Sequence, residues 1–268
     1  MKGIDISIWQ KSLDLSKIKT DFVIIRAGYT GYTKLNYNID SSFEKFYKQA
    51  KQLNIPVGCY YYSCCNSYES GLNEAKFFYE KCLKGKQFEF PVYIDVEDNR
   101  NQSNNKQGVT DGIIAFGDYL ENLDFYFGIY ASDISGFKDK MDINRLARFD
   151  KWVACYGSKP KYVSSYGMWQ DSATGNLKGY SENLDTDVSF KNYPKIIKQA
   201  KLNGFSEYQQ QPIETKPTSI YYIVKTGDTL SSIAKKFNTT WQKIYEDNKS
   251  IIKNPNLIYP NQRLIIKR

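Results

Sequence analysis

Three acids follow a short apolar run in PVYIDVEDN (91–99): Asp95, Glu97 and Asp98 come after Val92, Tyr93 and Ile94. Acids are poor strand residues and are costly to bury unless paired or hydrogen-bonded. Residues i and i+2 of a strand point to one face, about 6.6 Å apart along the backbone. Asp95 and Glu97 therefore share a side at the C-terminal end of a strand. Two carboxyl groups held close raise the pKa of one of them, which then keeps a proton near neutrality. Glycoside hydrolysis uses such a pair: one acid protonates the leaving oxygen, and the other carboxylate stabilises or traps the cationic sugar. Asp5 in GIDIS (3–7) and Asp185 in NLDTDVSF (183–190) hold comparable places in the first and last strand-like runs. In a closed barrel those two strands are neighbours, so four acids would converge on one mouth. A divalent-cation site is the rival use of clustered acids, and a solvated turn is the plain reading of any D-x-E alone.

Composition narrows the chemistry. The 268 residues contain no histidine, which removes Ser-His-Asp and Cys-His triads and most catalytic zinc sites. Proton transfer must then fall to Asp, Glu, Tyr, Lys or Cys. No cofactor or resident metal is expected. Aromatic residues make up 16% of the chain; their flat faces suit sugar rings and fill cores equally well. The five cysteines (Cys59, Cys64, Cys65, Cys82, Cys155) form no C-x-x-C pair and are odd in number, so they read as free thiols made in a reducing cytoplasm. Cys59 and Cys155 sit in apolar runs and read as core. The N-terminus, MKGIDISIWQ, enters a strand pattern directly, and no apolar run reaches 18 residues. The expectation is a protein held in a bacterial cytoplasm and not embedded in a membrane. The net charge is +8, and Tyr221–Arg268 carries nine Lys/Arg against three Asp/Glu. An anionic partner such as a cell wall fits that surplus; nucleic acid is the weakest reading.

These acids need a scaffold. Strand-like runs occur at 3–8, 22–27, 56–62, 92–96, 125–130, 152–156 and 167–170, with another around 185–190. Between them lie amphipathic segments. One places Ile39, Phe43, Phe46, Tyr47, Ala50 and Leu53 on one face, with Ser41-x-x-Glu44 as a capping box; 69–83 and 112–123 read as helices too. Alternation of this kind implies a parallel sheet closed as a βα barrel, made irregular by the scarcity of helices after Phe125. A polar, proline-bearing stretch, SEYQQQPIETKPTS (206–219), reads as a linker between a domain at 1–205 and a second at 220–268. The second reads strand, helix, helix, strand, with Asp228 or Thr229 capping its first helix.

Residues 1–203 resemble the family 25 glycoside hydrolases, lysozymes that cut peptidoglycan between N-acetylmuramic acid and N-acetylglucosamine. The resemblance runs in order through GIDIS-x-WQ (3–10), FVIIRAGYT (22–30), IPVGCYYYS (55–63), PVYIDVE (91–97), FGIYAS (127–132), KWVACYG (151–157), WQ (169–170) and NLDTDVSFKNYP (183–194). It implies an irregular TIM-like βα barrel with Glu97 as acid/base, Asp95 supporting the reacting sugar, and Asp5 and Asp185 lining the groove. Asp187 is the alternative match for the fourth acid; Asp185 is preferred because it follows the Asn-Leu step. Tyr61 stands where the family often has His. Tyr61, Tyr62, Tyr130 and Trp169 are the aromatic candidates for sugar contact. Trp9 is expected to pack the barrel, and Arg26 to pair with one of the acids, Asp5 being nearest by strand order.

Residues 220–266 resemble a LysM module, a βααβ fold that binds N-acetylglucosamine-containing glycans. The resemblance rests on Tyr222-x-Val224, Gly227-Asp228-Thr229-Leu230, Ile233-Ala234, Phe237, Asn248 and NPNLIYPNQRLII (254–266). It implies glycan binding by Gly227, Asp228, Thr229 and Leu230 together with Asn256, Leu257 and Ile258. The combined expectation is a muramidase acting on bacterial peptidoglycan, of the phage endolysin type, held in the host cytoplasm until release. A chitinase also uses strand-end acids, but its pattern needs an Asp two residues before Asp95, where this chain has Tyr93. A catalytically inactive wall-binding protein would lack one of the four acids, and all four are present.

Overall fold

The structure is a computed structural model that describes residues 1–31, 33–102, 104–205, 219–249, 251–260 and 262–267. Two compact units emerge, Met1–Tyr208 and Gln209–Arg268. The expected linker lies outside the described residues, except for Ser219, which opens a strand.

The first unit holds strands β1 (Lys2–Ile6), β2 (Phe22–Thr30), β3 (Tyr37–Ile39), β4 (Val57–Tyr62), β5 (Val92–Asp95), β6 (Phe127–Ser132), β7 (Asp150–Ala154), β8 (Met168–Gly175) and β9 (Leu184–Ser189). Eight of them close a ring in the order β1, β2, β4, β5, β6, β7, β8, β9, while β3 folds back on the outer edge of β2. All eight arise from the runs seen in the sequence. Neighbours from β1 to β8 run parallel, but β9 is antiparallel to both β8 and β1. The fully parallel sheet expected from the sequence is corrected here. Eight residues separate Gly175 from Leu184, too few for the crossover of a dozen or more that a parallel return needs.

Helices cover only part of the barrel: α1 (Phe43–Gln52), α2 (Tyr68–Phe78), α3 (Asn99–Gln102), α4 (Lys106–Glu121) and α5 (Tyr193–Gln199). Wider π turns extend α2 through Tyr79–Leu83 and follow β6 at Asp133–Lys138. Among the described residues, no helix joins β7 to β8 or β8 to β9. At α1 the capping box does not form. The Asp40 carboxylate accepts from Ser42 N (2.9 Å) and Ser42 Oγ (2.6 Å), and the helix starts at Phe43. Phe43, Phe46 and Ala50 are buried as expected, whereas Ile39, in β3, and Leu53 are exposed.

Two cores result, because a barrel strand is buried on both faces. Outward residues such as Ile4, Ile25, Cys59, Ile94, Ile129 and Val153 pack under the helices. Inward residues Phe22, Ile24, Tyr93, Tyr130, Trp152 and Met168 fill the barrel. Gly128 is required inside: a Cβ there would lie 2.5 Å from the Tyr93 ring. Cys155, just past β7, is only half-buried rather than core; the other four thiols are buried.

The second unit runs β10 (Ser219–Ile223), α6 (Leu230–Lys236), α7 (Trp241–Asp247) and β11 (Arg263–Lys267), with β10 and β11 antiparallel. Thr229 caps α6 through a capping box with Ser232. Asn248, buried, ties α7 to β11: its Nδ2 donates to Ile244 O and Ile265 O, and its Oδ1 accepts from Ile265 N, each at 2.7 Å.

Candidate active site

Strand alternation decides which side chains enter the barrel. Val92, Ile94 and Val96 face the helices, so Tyr93 and Asp95 face inward and Glu97 follows on the same side. Asp95 is opposite Tyr62 on β4 and Tyr130 on β6. Asp5 of β1 is opposite Asp185 of β9. Because β9 runs backwards, Asp185, near its start, reaches the end of the barrel where the parallel strands finish. Asp5 and Asp95 are buried, Asp185 is half-buried, and Glu97 is exposed at the lip.

The strand register brings the four acids to one mouth, where they act on one another. Burial, then Asp185, then Glu97 push the Asp5 carboxyl well above the usual range, against a hydrogen bond from Gln170. Asp95 is raised well above it by burial, Glu97 and Asp5, with Arg26 and Lys140 opposing. Its Oδ1 is buried without a hydrogen-bond partner among the described residues. Glu97 is raised by the desolvating wall beneath it and by Asp185, with Lys140 and a hydrogen bond from Tyr130 opposing. Burial lifts Asp185 to about 6. Like charges in a poorly solvated cleft cannot all ionise together, so the mouth retains protons near neutrality.

The supporting network centres on Gln170, which is buried. Its Nε2 donates to Asp5 Oδ2 (2.7 Å), and its Oε1 accepts from the hydroxyls of Tyr130 (2.8 Å) and Tyr156 (2.9 Å). Tyr130 also packs at a tilt against Trp152, with ring centroids 4.4 Å apart. Lys140, itself buried, donates to the Glu97 carbonyl oxygen (2.7 Å). Among the described residues no three acids or thiols are arranged to hold a metal ion.

The model of glycosyl hydrolases family 25 matches residues 4–180. The chain belongs to that family. The LysM-domain model matches residues 222–267. The autolytic lysozyme of Clostridium acetobutylicum is 32% identical over 193 residues, covering 70% of this chain and 55% of that protein. The chain thus spans about half the length of that relative. Among solved structures, the CTP1L endolysin superposes with a TM-score of 0.62 at 24% identity, over 74% of this chain and 69% of its own. A bacterial lysozyme from Streptomyces coelicolor gives 0.58 at 22% identity, over 77% and 98%.

Within this family 25 barrel the aromatic expectations divide. Tyr62 and Tyr130 lie on the inward face beside Asp95. Tyr61 does not: it is 0% exposed in the layer under the helices, against Phe77, Phe78 and Phe116, with its hydroxyl 3.0 Å from Thr30 Oγ1. Trp169 is also turned away, since its neighbours Met168 and Gln170 point inward; its indole N–H donates to Cys155 O (2.8 Å). Two corrections concern the start of the chain. Trp9 does not pack the barrel but is 76% exposed, in a turn just beyond the end of β1. Arg26 pairs with Asp40 (2.7 Å) rather than Asp5.

Sequence reading missed Tyr60, Lys140 and Tyr156. Tyr60, like Tyr62, is an inward residue of β4, and it lies edge-on to Trp152 at 6.0 Å. Tyr156 is 55% exposed and is acted on by Asp185, Glu97 and Asp5. Gln170 was present in the quoted WQ pair; strand parity lets only one of the two face inward, and packing turns Gln170 in.

In the LysM unit, Val224 N donates to Gln262 O (2.9 Å) and Ile223 is opposite Arg263, so the loops at 225–229 and 254–260 leave the same end of the β10–β11 pair. Gly227 has a φ of +88°, the left-handed region that favours glycine. Asp228 is structural, accepting from Tyr222 Oη (2.7 Å) and Lys225 N (2.8 Å). The Leu230 side chain is buried in the core and is not available to a glycan. Ile258 is partly buried against that core, while Asn256 and Leu257 are exposed.

Proposed function

We propose that the chain hydrolyses the β-1,4 bond between N-acetylmuramic acid and N-acetylglucosamine of bacterial peptidoglycan, held on the wall by its LysM domain. The observation that carries this reading is the strand register, which sets Asp5 opposite Asp185 and Asp95 opposite Tyr130 at the end of the barrel where the parallel strands finish, with Glu97 exposed just beyond. Glu97, its pKa raised, donates a proton to the leaving oxygen and then accepts one from water. Asp95, flanked by Arg26 and Lys140, stabilises the positive charge developing on the sugar. Asp5 and Asp185 line the cleft, with Tyr62 and Tyr130 as its walls.

The LysM domain raises local concentration on an insoluble polymer. Gly227, Thr229, Asn256 and Leu257 form the glycan-facing rim in this reading. An odd number of cysteines, four of them buried, favours synthesis in a reducing compartment, in keeping with an endolysin kept in the host cytoplasm before lysis. The test is digestion of purified peptidoglycan by the wild type and Glu97→Gln. New reducing ends at muramic acid with the wild type alone support the proposal. New free amines, reducing ends at glucosamine, or binding without cleavage would defeat it.

A further inference from the structure

The segment that bears Glu97 is held on both sides by one residue, Ser63, which follows β4. The Ser63 N–H donates to Asp95 O (3.0 Å), ahead of Glu97, and the Ser63 carbonyl oxygen accepts from Gln102 Nε2 (3.1 Å), beyond it. These bonds place Glu97 only as firmly as Ser63 is itself placed. The Ser63 hydroxyl donates to Glu74 Oε2 (2.5 Å) and accepts from Cys65 N (3.0 Å). Glu74 lies on α2, behind the mouth rather than in it. Its Oε1 accepts from Thr30 Oγ1 (2.6 Å), at the end of β2, and from Cys64 N (3.0 Å). One carboxyl thus ties the mouth ends of β2 and β4 together and, through Ser63, reaches the end of β5. Thr30, Ser63, Glu74 and Gln102 are all buried.

We propose that Glu74 is a positioning residue for the reaction: through Ser63 it fixes the backbone that carries Glu97, and it touches no substrate itself. Holding α2 on the barrel does not require a carboxyl. Gly71 on α2 lies so close to α4 that a Cβ there would meet the Gly112 backbone, and Phe78 packs against Tyr61 and Phe116. An apolar side chain at position 74 would extend that layer without the cost of burying an acid. A fully bonded buried carboxyl instead specifies one arrangement of its donors. Two of those donors, Ser63 Oγ and Cys64 N, belong to the turn that grips the Glu97 segment. A general acid must stand within hydrogen-bond reach of the leaving oxygen, and a displacement of about 1 Å costs up to about a hundredfold in rate.

The kinetic arm of the test rests on the hydrolase reading; the exchange arm does not. With the full chain on soluble peptidoglycan glycan strands, below every melting point, Glu74→Met should lose about tenfold or more in kcat with KM within about twofold. Glu74→Gln keeps an oxygen for Thr30 and Cys64 and offers an N–H to Ser63 Oγ, so its kcat should return to within about threefold of the wild type. Ser63→Ala keeps both main-chain bonds but loses the link to Glu74, and should fall as Glu74→Met does. Combining the two should cost no more than either alone. Leu120→Ala, a cavity in the same helix layer, should lower the melting temperature and leave kcat unchanged. Amide hydrogen exchange reads the placement without substrate. The N–H groups of Ser63 and Val96, bonded to Asp95 O and Tyr130 O, should exchange about tenfold faster or more, relative to β7, in Glu74→Met and Ser63→Ala but not in Leu120→Ala. The idea is overturned if Glu74→Gln is as slow as Glu74→Met, if the two losses multiply, or if exchange is unchanged. Should Glu74→Met fail to fold, Ser63→Ala and Glu74→Gln decide. If the wild type leaves peptidoglycan intact, the hydrolase reading fails by itself, and exchange alone decides whether Glu74 holds the segment.

Discussion

Asp5 and Asp185 are direct cross-strand partners on β1 and β9, two strands that run in opposite directions. Had β9 returned parallel to its neighbours, a residue near its start would sit at the far end of the barrel from Asp95 and Glu97. The antiparallel closure therefore builds the acid mouth, and the short β8–β9 connection enforces it.

Glu97 is exposed, and Lys140 donates to its backbone carbonyl. Glu97→Gln should lower kcat by about a hundred- to ten-thousandfold. Its stability should stay within about 0.5 kcal/mol of the wild type. Reducing-end release measured beside a thermal melt checks both.

Two neighbours pull the Glu97 proton in opposite directions: Asp185 raises its pKa and Lys140 lowers it. If protonated Glu97 is the acid, activity falls as pH rises through its pKa. Asp185→Asn should then move the alkaline limb to lower pH, and Lys140→Met should move it to higher pH, each by up to about one unit. The position of the limb in a pH–rate profile, not the height of the maximum, is the measurement.

Glu74 is a buried acid outside the barrel. It accepts from Ser63 Oγ (2.5 Å), Thr30 Oγ1 (2.6 Å) and Cys64 N (3.0 Å), and burial lifts its pKa from 4.5 to about 7 despite those bonds. Its folded-state pKa is the higher one, so the native state holds the extra proton between these values. Stability is then greatest below about pH 4.5 and is lost as pH rises towards 7, by on the order of 3 kcal/mol. Glu74→Gln should flatten that slope in thermal melts taken across the window; an unchanged slope would refute the assignment.

Asp40 is the anchor of the β1 end of the mouth. Its buried carboxylate accepts from Arg26 Nε (2.7 Å), Ile8 N (3.1 Å) and Ser42, joining β2, the Trp9 turn and the start of α1. Asp40→Ala leaves Arg26 unpaired and should cost about 3–5 kcal/mol. Denaturant unfolding of the full chain would reveal the loss as a lower midpoint at constant slope.

In the LysM unit, Asn248→Ala strands the Ile265 N–H and two carbonyls that its side chain satisfies. A loss of about 3 kcal/mol is expected. Calorimetry of the full chain should show the smaller unit melting earlier and the barrel unchanged.

The residues of the mouth were legible in the sequence because chemistry is carried by type and spacing. Asp95 and Glu97 at i and i+2, Asp5 and Asp185 in the outermost runs, and eight apolar segments in order all stand as read. The facing of the aromatics was not legible. A barrel strand is buried on both sides, so the period-two pattern that marks a half-exposed strand disappears. YYY at 60–62 and WQ at 169–170 carry no sign of which member turns inward; only packing put Tyr60 and Gln170 inside and Tyr61 and Trp169 outside. Pairing across distance was hidden for the same reason. Arg26 chose Asp40 over Asp5, and Gln170 met Asp5, because the ring of strands brings together residues the chain keeps up to 165 positions apart.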